Sequence, residues 1–223
     1  VTGRTARRAF LAIVFGGLQG LLGWFMVKSG LVDVPEVSHY RLAAHLSLAF
    51  FVGCYVLWVI ADLDPAPSPR RVSRGAVWGV GALVALQIVY GAFMAGTRAG
   101  YLFSSFPDMN GVLVPDTWMR LTPAWRNLLE NHVAIHFIHR MLAYVVAVAV
   151  VALAVVGWRR AETARQRRSA GLLGGLVAVQ FGLGVWTVVG GVPIHVATTH
   201  QVVAFWLIGA LVWFAHAFRG QRA

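Results

Sequence analysis

"HFIHRMLAYVVAVAVVALAVV", residues 136–156, sets two histidines and an arginine against an apolar run with no further charge. A bilayer-spanning helix takes roughly 20 predominantly apolar residues, and this stretch with its neighbours supplies them. An ionisable side chain inside such a span is costly and marks function by default. The stretch therefore says two things at once: it crosses a membrane, and it carries chemistry.

The rest of the chain agrees with the first statement. Of 223 residues, 58% are hydrophobic and only 12% charged, against about 25% charged in soluble domains. Six segments are long and apolar enough to span, at 9–27, 42–61, 75–97, 130–158, 169–192 and 196–218. The expected fold is all-α, a polytopic membrane helix bundle of six transmembrane helices arranged as three repeated hairpins. No room remains within these residues for a separate soluble domain.

A net charge of +11 invites a nucleic-acid reading, but the distribution excludes it. Thirteen of the nineteen basic residues fall in "GRTARR", "SPRRVSR", "WRRAETARQRR" and the terminal "RGQRA". With six spans these four places lie on one side, as the positive-inside rule requires of a cytoplasmic or matrix face. The charge is a topology signal, and it puts both termini inside. Cys54 is the only cysteine, so an intrachain disulfide and a cysteine-built zinc site are both excluded; mid-helix, it reads as a small packing residue.

An internal repeat runs through the spans. "QGLLGWF" (19–25), "QIVYGAF" (87–93) and "QFGLGVW" (180–186) each place a Gly four residues after a Gln and an aromatic two further on. The alternate spans share a His followed by an Ala four residues later, at His45/Ala49, His139/Ala143 and His200/Ala204. Each hairpin thus joins a Gln–Gly helix to a His–Ala helix, and repeats in membrane proteins tend to build sites where copies meet. The Gln–Gly element reads as scaffold, because small residues let helices approach and Gln bonds across them.

The three repeated histidines are the candidate ligands. Each falls in the outer part of its helix, at similar depth. Neutral imidazole suits transition metals, and haem iron is the natural candidate; zinc would more often draw on Cys or carboxylates, which these spans lack. Arg140, beside His139, and Arg41, one turn before His45, can neutralise a haem propionate or snorkel to outer headgroups. His132 and His136 share a face with His139, either lining an entrance or bonding at the interface. His39 and His195 fall in outer connections, where solvation is expected. His216 lies about 24 Å along the helix from His200 and belongs to the inner interface. The long connection over 99–131 is expected to cap the outer surface, with Asp108, Asn110 and Glu130 in turn or helix-cap roles or near a substrate.

In "GGLQGLLGWFMVKSGL", "HYRLAAHL", "QIVYGAFMAGTRAGYLFSSFPDMNG", "ENHVAIHFIHR" and "HVATTHQ" the chain resembles the haem A synthase family, membrane enzymes that oxidise a methyl group of haem O to the formyl group of haem A. The resemblance implies eight helices in two four-helix halves, each half with a histidine pair. It makes His139 and His200 the axial ligands of a haem b, and His45 one of the two histidines of the N-terminal half, where haem O reacts. Residues 1–64 would then be the remnant of the N-terminal bundle and 65–223 the C-terminal haem-binding bundle, with a two-helix hairpin expected upstream and activity of this chain alone in question. Haem O, membrane lipid, haem O synthase, oxidase assembly factors and a second copy of the chain are the partners implied. The location implied is a bacterial plasma membrane, or the mitochondrial inner membrane in a eukaryote. The chain departs from the family in lacking an outer-loop cysteine pair that some members carry, and in having His136 where relatives often show Gln.

Two rival classes are weighed against this. A b-type cytochrome would hold the same bis-His haem without synthesis. An ion or small-molecule carrier would use the histidines as a proton relay, but broken helices and buried carboxylates are missing from the pattern.

Overall fold

The computed structural model describes residues 3–28, 37–63 and 72–220. Helices run in the order α1 (Gly3–Lys28), α2 (His39–Ala61), α3 (Arg74–Gly96), α4 (Arg126–Glu130), α5 (His132–Arg160), α6 (Ala164–Val189) and α7 (Ile194–Ala217), with a 3₁₀ turn at Ala99–Tyr101. No strand occurs among the described residues. All but α4 are long and apolar enough to cross a membrane, and the protein is a multi-pass membrane helix bundle.

The six expected spans are all present, and their ends shift for local reasons. α1 begins at Gly3 rather than near 9, because arginines at an interface do not interrupt helical hydrogen bonding. α5 begins at 132 rather than 130: extended Asn131 (φ −81°, ψ 109°) separates it from α4, and its side chain accepts from the Val133 and Ala134 amides. α6 begins at 164, not 169, because Thr163 and Gln166 form a reciprocal capping box, which satisfies amide groups that a helix start leaves open. It ends at 189, not 192, since Gly191 and Val192 take positive φ (72° and 60°) and Pro193 opens α7.

α3, α5, α6 and α7 form a four-helix ring in which α3 packs on α5, α5 on α6 and α6 on α7; α3 and α7 close it more lightly. α2 lies outside, against α3 and α7, and α1 packs on α2. No α1 residue is buried, as befits a helix that is apolar all round in lipid. The inner half of the ring is filled: Val150 and Leu153 of α5, Leu173 of α6 and Leu211 and Phe214 of α7 belong to one buried cluster. α5 and α7 stand diagonally, and Phe214 reaches across to Gly157, where a Cβ would collide with its ring. A smaller outer cluster joins Ala43, Tyr90, Phe93 and Ile135.

Asp62, the residue that ends α2, ties the inner ends together. It accepts from Arg8 at 2.7 Å, from His216 Nε2 at 3.0 Å and from Arg219. The Nε2–H tautomer of His216 serves both its contacts, since Arg165 reaches Nδ1 at 3.4 Å. Burial by itself raises the Asp62 carboxyl; the hydrogen bonds from Arg8, Arg219 and His216 outweigh it and hold the group down at about 2. His216 thus belongs to the polar cluster at the far end of α7 from His200.

The outer connection is a built cap. Asn127, fully buried, receives the Leu121 amide at 2.8 Å and donates to the Leu121 and Ala124 carbonyls. Asn131 donates to Thr117 and Trp118 carbonyls and to Asn127. Asp108 closes a turn by accepting from the Ser105 hydroxyl and the Gly111 amide, and these two hydrogen bonds lower its pKa. Asn110 sits at φ 57° in the same turn, and Glu130 pairs with Arg126 at 2.6 Å. The turn and helix-end roles account for all three polar residues.

Candidate functional site

Each hairpin brings its Gln to its own His. Gln19 Nε2 lies 3.2 Å from both ring nitrogens of His45 and 3.1 Å from the His45 carbonyl oxygen. Gln87 Nε2 stands 3.3 and 3.4 Å from the ring nitrogens of His139 and 3.2 Å from its carbonyl. Gln180 Nε2 reaches His200 Nε2 at 3.2 Å. The same contact therefore occurs three times, between α1 and α2, α3 and α5, and α6 and α7.

The glycine four residues beyond each Gln completes the receptor. On a helix, positions i and i+4 share a face, so the Gly lies one turn along from the amide. A Cβ at Gly23 would stand 2.9 Å from His45 Cε1, at Gly91 3.4 Å from His139 Cε1, and at Gly184 3.1 Å from His200 Cε1. Each imidazole therefore rests its Cε1 edge in a glycine notch beside a carboxamide. The Gln–Gly element, expected as packing scaffold, is the seat of the histidine. Its register with His–Ala was visible in the sequence; the contact was not, because it needs the two helices side by side.

His139 and His200 stand on the diagonal helices α5 and α7. Around them burial is uneven: α3 and α5 bury Tyr90, Phe93, Ile135 and His136 at this end of the ring. α7 has no buried residue between Val196 and Leu207, and α6 has none after Val177. The Gln19, Gln87 and Gln180 amide oxygens and His200 Nδ1 are buried without a hydrogen-bond partner among the described residues. Among those residues no three His, Cys, Asp or Glu side chains converge to hold a metal ion. A porphyrin supplies nitrogen donors to iron itself, so the imidazoles of His139 and His200 are donors of a kind that would suit a haem.

The other candidates divide. His136 is fully buried; its Nδ1 donates to the Ala99 carbonyl at 2.9 Å, and its Nε2 accepts from Arg140 Nε at 2.9 Å. Both ring nitrogens are engaged, so it lines no entrance and is an interfacial hydrogen-bonding residue. Arg140 is itself buried, and its remaining bonds go to Ser105, Asp108 and Phe103 carbonyls at 2.9, 2.7 and 3.2 Å. Four of its five N–H groups thus face protein, fastening the cap beside His139. Arg41 lies over the Phe25 ring at 4.7 Å, the aromatic of the first Gln–Gly element. His132 is exposed and borders an outer cleft of about 400 Å³ with His39 and Arg98.

Two expectations are corrected. His39 is not in a solvated connection: it opens α2, its Nε2 bonds the Leu129 carbonyl at 3.0 Å, and its ring stands edge-on to Phe93 at 5.3 Å. The helix extends three residues further than the apolar span because these polar contacts hold its first turn. His195 is exposed as expected, yet lies within α7, which starts directly after Pro193.

Comparison with known proteins points to one group. The model of the family described as cytochrome oxidase assembly protein matches residues 1–212. A haem A synthase of Rhodospirillum centenum is 44% identical over 210 residues, covering 92% of this chain and 56% of the relative. Haem A synthases of Parvibaculum lavamentivorans and Wolbachia pipientis are 40% and 38% identical, over 94% and 96% of this chain and 60% and 61% of theirs. The chain spans about three fifths of the length of these relatives.

Proposed function

The chain belongs to the cytochrome oxidase assembly protein family, and on that premise we propose that it forms the haem-binding part of a haem A synthase, an oxidoreductase that converts the methyl group of haem O to the formyl group of haem A. The observation that carries the reading is the pair His139 and His200, each beside the Gln and the Gly of its own hairpin and on diagonal helices. His139 and His200 would hold the iron of a haem b. When bound, that group supplies one-electron transfer.

The remaining roles follow from position. α5 and α7 carry the ligands as rigid helices, while α3 and α6 seat them. Arg140 fastens the cap over the outer end and limits water entry, and its cationic charge there also suits a propionate. His45, held by Gln19 as the others are held, serves the substrate macrocycle, with Arg41 one turn outward as a counter-charge. The haem b bundle corresponds to 65–223 and the substrate half includes 1–64. Both termini face the cytoplasm, following the arginine-rich inner ends. Haem O synthase and oxidase assembly factors are the partners this role calls for.

Purification of the chain tests the haem reading directly. A reduced α-band is expected, and it disappears in His139→Ala and in His200→Ala. A purified, folded chain without the band overturns the assignment. The alternative of a b-type cytochrome without synthesis shares the band, so pigment extraction decides between them. A host that makes haem O and expresses the full-length protein containing this chain accumulates haem A only if the synthase reading holds.

A further inference from the structure

We propose that the chain takes up its haem sideways from the bilayer, through the outer half of the seam between α5 and α6, and that Phe106 of the outer connection is the gate of that seam. The inference rests on the haem reading above and goes beyond it, since it concerns the surface by which the group arrives.

A tetrapyrrole is a broad and largely apolar plate, so it partitions into the hydrocarbon of a bilayer. The ring of α3, α5, α6 and α7 is closed by packed side chains, and the plate can enter only where two neighbouring helices part. The four seams are not equal. The Gln87–His139 contact crosses the seam of α3 with α5, and Gln180–His200 crosses that of α6 with α7. α2 packs against both α3 and α7, and so lies over the seam they share. The α5–α6 seam remains. Its inner half is helix on helix: a Cβ at Gly174 would stand 3.5 Å from that of Ala154, and one at Gly157 3.5 Å from that of Ala170.

Its outer half is closed differently. The Phe106 ring lies 6.2 Å from that of Tyr144 on α5 and 6.2 Å from that of Phe181 on α6, and these two lie 5.6 Å apart. At 1.5 Å per residue, Tyr144 is about 18 Å along α5 from its outer end at His132, and Phe181 about 12 Å along α6 from its outer end at Val189. The connection therefore dips between the two helices rather than resting on their tips. Its contacts adjoin the site in sequence, since Arg140 follows His139 and Phe181 follows Gln180. The dipping segment is fastened at Met109, 1% exposed, and by the Arg140 bonds to the carbonyls of Phe103, Ser105 and Asp108, while Phe106 is 37% exposed. Elements with few buried contacts open locally at lower cost than packed helices. Swinging Phe106 off Tyr144 and Phe181 uncovers the seam without breaking a helix or either Gln–His contact.

The test is haem release from the purified haem-loaded protein to an excess of a haem-scavenging apoglobin, because release retraces the path of entry. Phe106→Ala is expected to release haem about tenfold faster, the two lost ring contacts having held the seam shut, with an unchanged absorption spectrum. A second protein carries Phe106→Cys and Phe181→Cys in a Cys54→Ala background, joined by a short bifunctional methanethiosulfonate whose link can be reduced. Linked, it is expected to release haem more slowly than after reduction, by a similar factor. A faster Ala variant and a slower linked protein support the proposal. Equal release from the linked and reduced forms overturns it, as does an unchanged rate in Phe106→Ala, since haem then leaves by another seam. Should Phe106→Ala fail to hold haem through purification, the linked and reduced forms decide alone. Absence of haem from the unmodified protein is a different failure: it removes the haem reading itself, and this inference with it.

Discussion

Gly184 on α6 faces the imidazole of His200 on α7 so closely that a Cβ there would stand 3.1 Å from Cε1, whereas the same construction at Gly91 leaves 3.4 Å to His139. The first distance demands that the ring move by a few tenths of an ångström; the second borders on ordinary contact. Gly91→Ala is therefore expected to keep its haem, and Gly184→Ala to bind it about tenfold more weakly, the equivalent of about 1.4 kcal/mol and within the usual range for overpacking. Haem retained per protein after purification measures it. Alanine favours a helix over glycine by about 0.5–1 kcal/mol, so the unfolding temperature of the haem-free protein should not fall. A parallel fall in both would trace the loss to the helix rather than the notch.

His136 offers a donor to Ala99 and an acceptor to Arg140. Glutamine has one of each, so His136→Gln is expected to leave the unfolding temperature nearly unchanged. His136→Leu strands the Ala99 carbonyl and one Arg140 N–H, and about 1–3 kcal/mol for each stranded group is expected. Thermal unfolding of the two variants side by side measures the difference, and equal stability of Gln and Leu at this position contradicts the hydrogen-bonding role.

Arg140 makes three bonds to carbonyls of the cap, at Phe103, Ser105 and Asp108. Lysine retains the charge but is a single flexible ammonium without the planar fork. Arg140→Lys should therefore loosen the segment 103–111 and hasten its cleavage by an added protease, by about an order of magnitude if a little over 1 kcal/mol of local stability is lost. Cleavage at the original rate would mean the cap is held by Asn127 and Asn131 without it.

Asp62 gives the pH dependence of the inner end. Its carboxyl titrates at about 2 in the folded protein and near 3.9 in an unfolded chain. A lowered folded value means the stabilisation is fully present above about pH 4 and disappears as pH falls through 2. Unfolding temperature should drop across that window in the unmodified protein and drop less in Asp62→Asn, which is already destabilised at neutral pH because Arg8 and Arg219 then face each other without the carboxylate. Parallel curves for the two proteins would remove Asp62 from the account.

Six apolar spans, their alternation across the membrane and the repeated His were all written in the order of the residues, because lipid demands a fixed length of apolar chain and punishes misplaced charge. The register of Gln–Gly with His–Ala was legible too, though not its meaning. What each histidine touches was decided by tertiary structure alone. His136 and His139 are three residues apart on one helix, yet packing against the cap uses both nitrogens of the first, while packing against α3 seats the second beside Gln87. Likewise the sequence offered the charge of Arg140 to a ligand, but only the fold shows that it also binds His136 and three carbonyls of the cap. Periodicity reports which face of a helix a residue occupies, but the partner on that face comes from chain far away in sequence, and hydrogen-bond capacity can be assigned only when that partner has arrived.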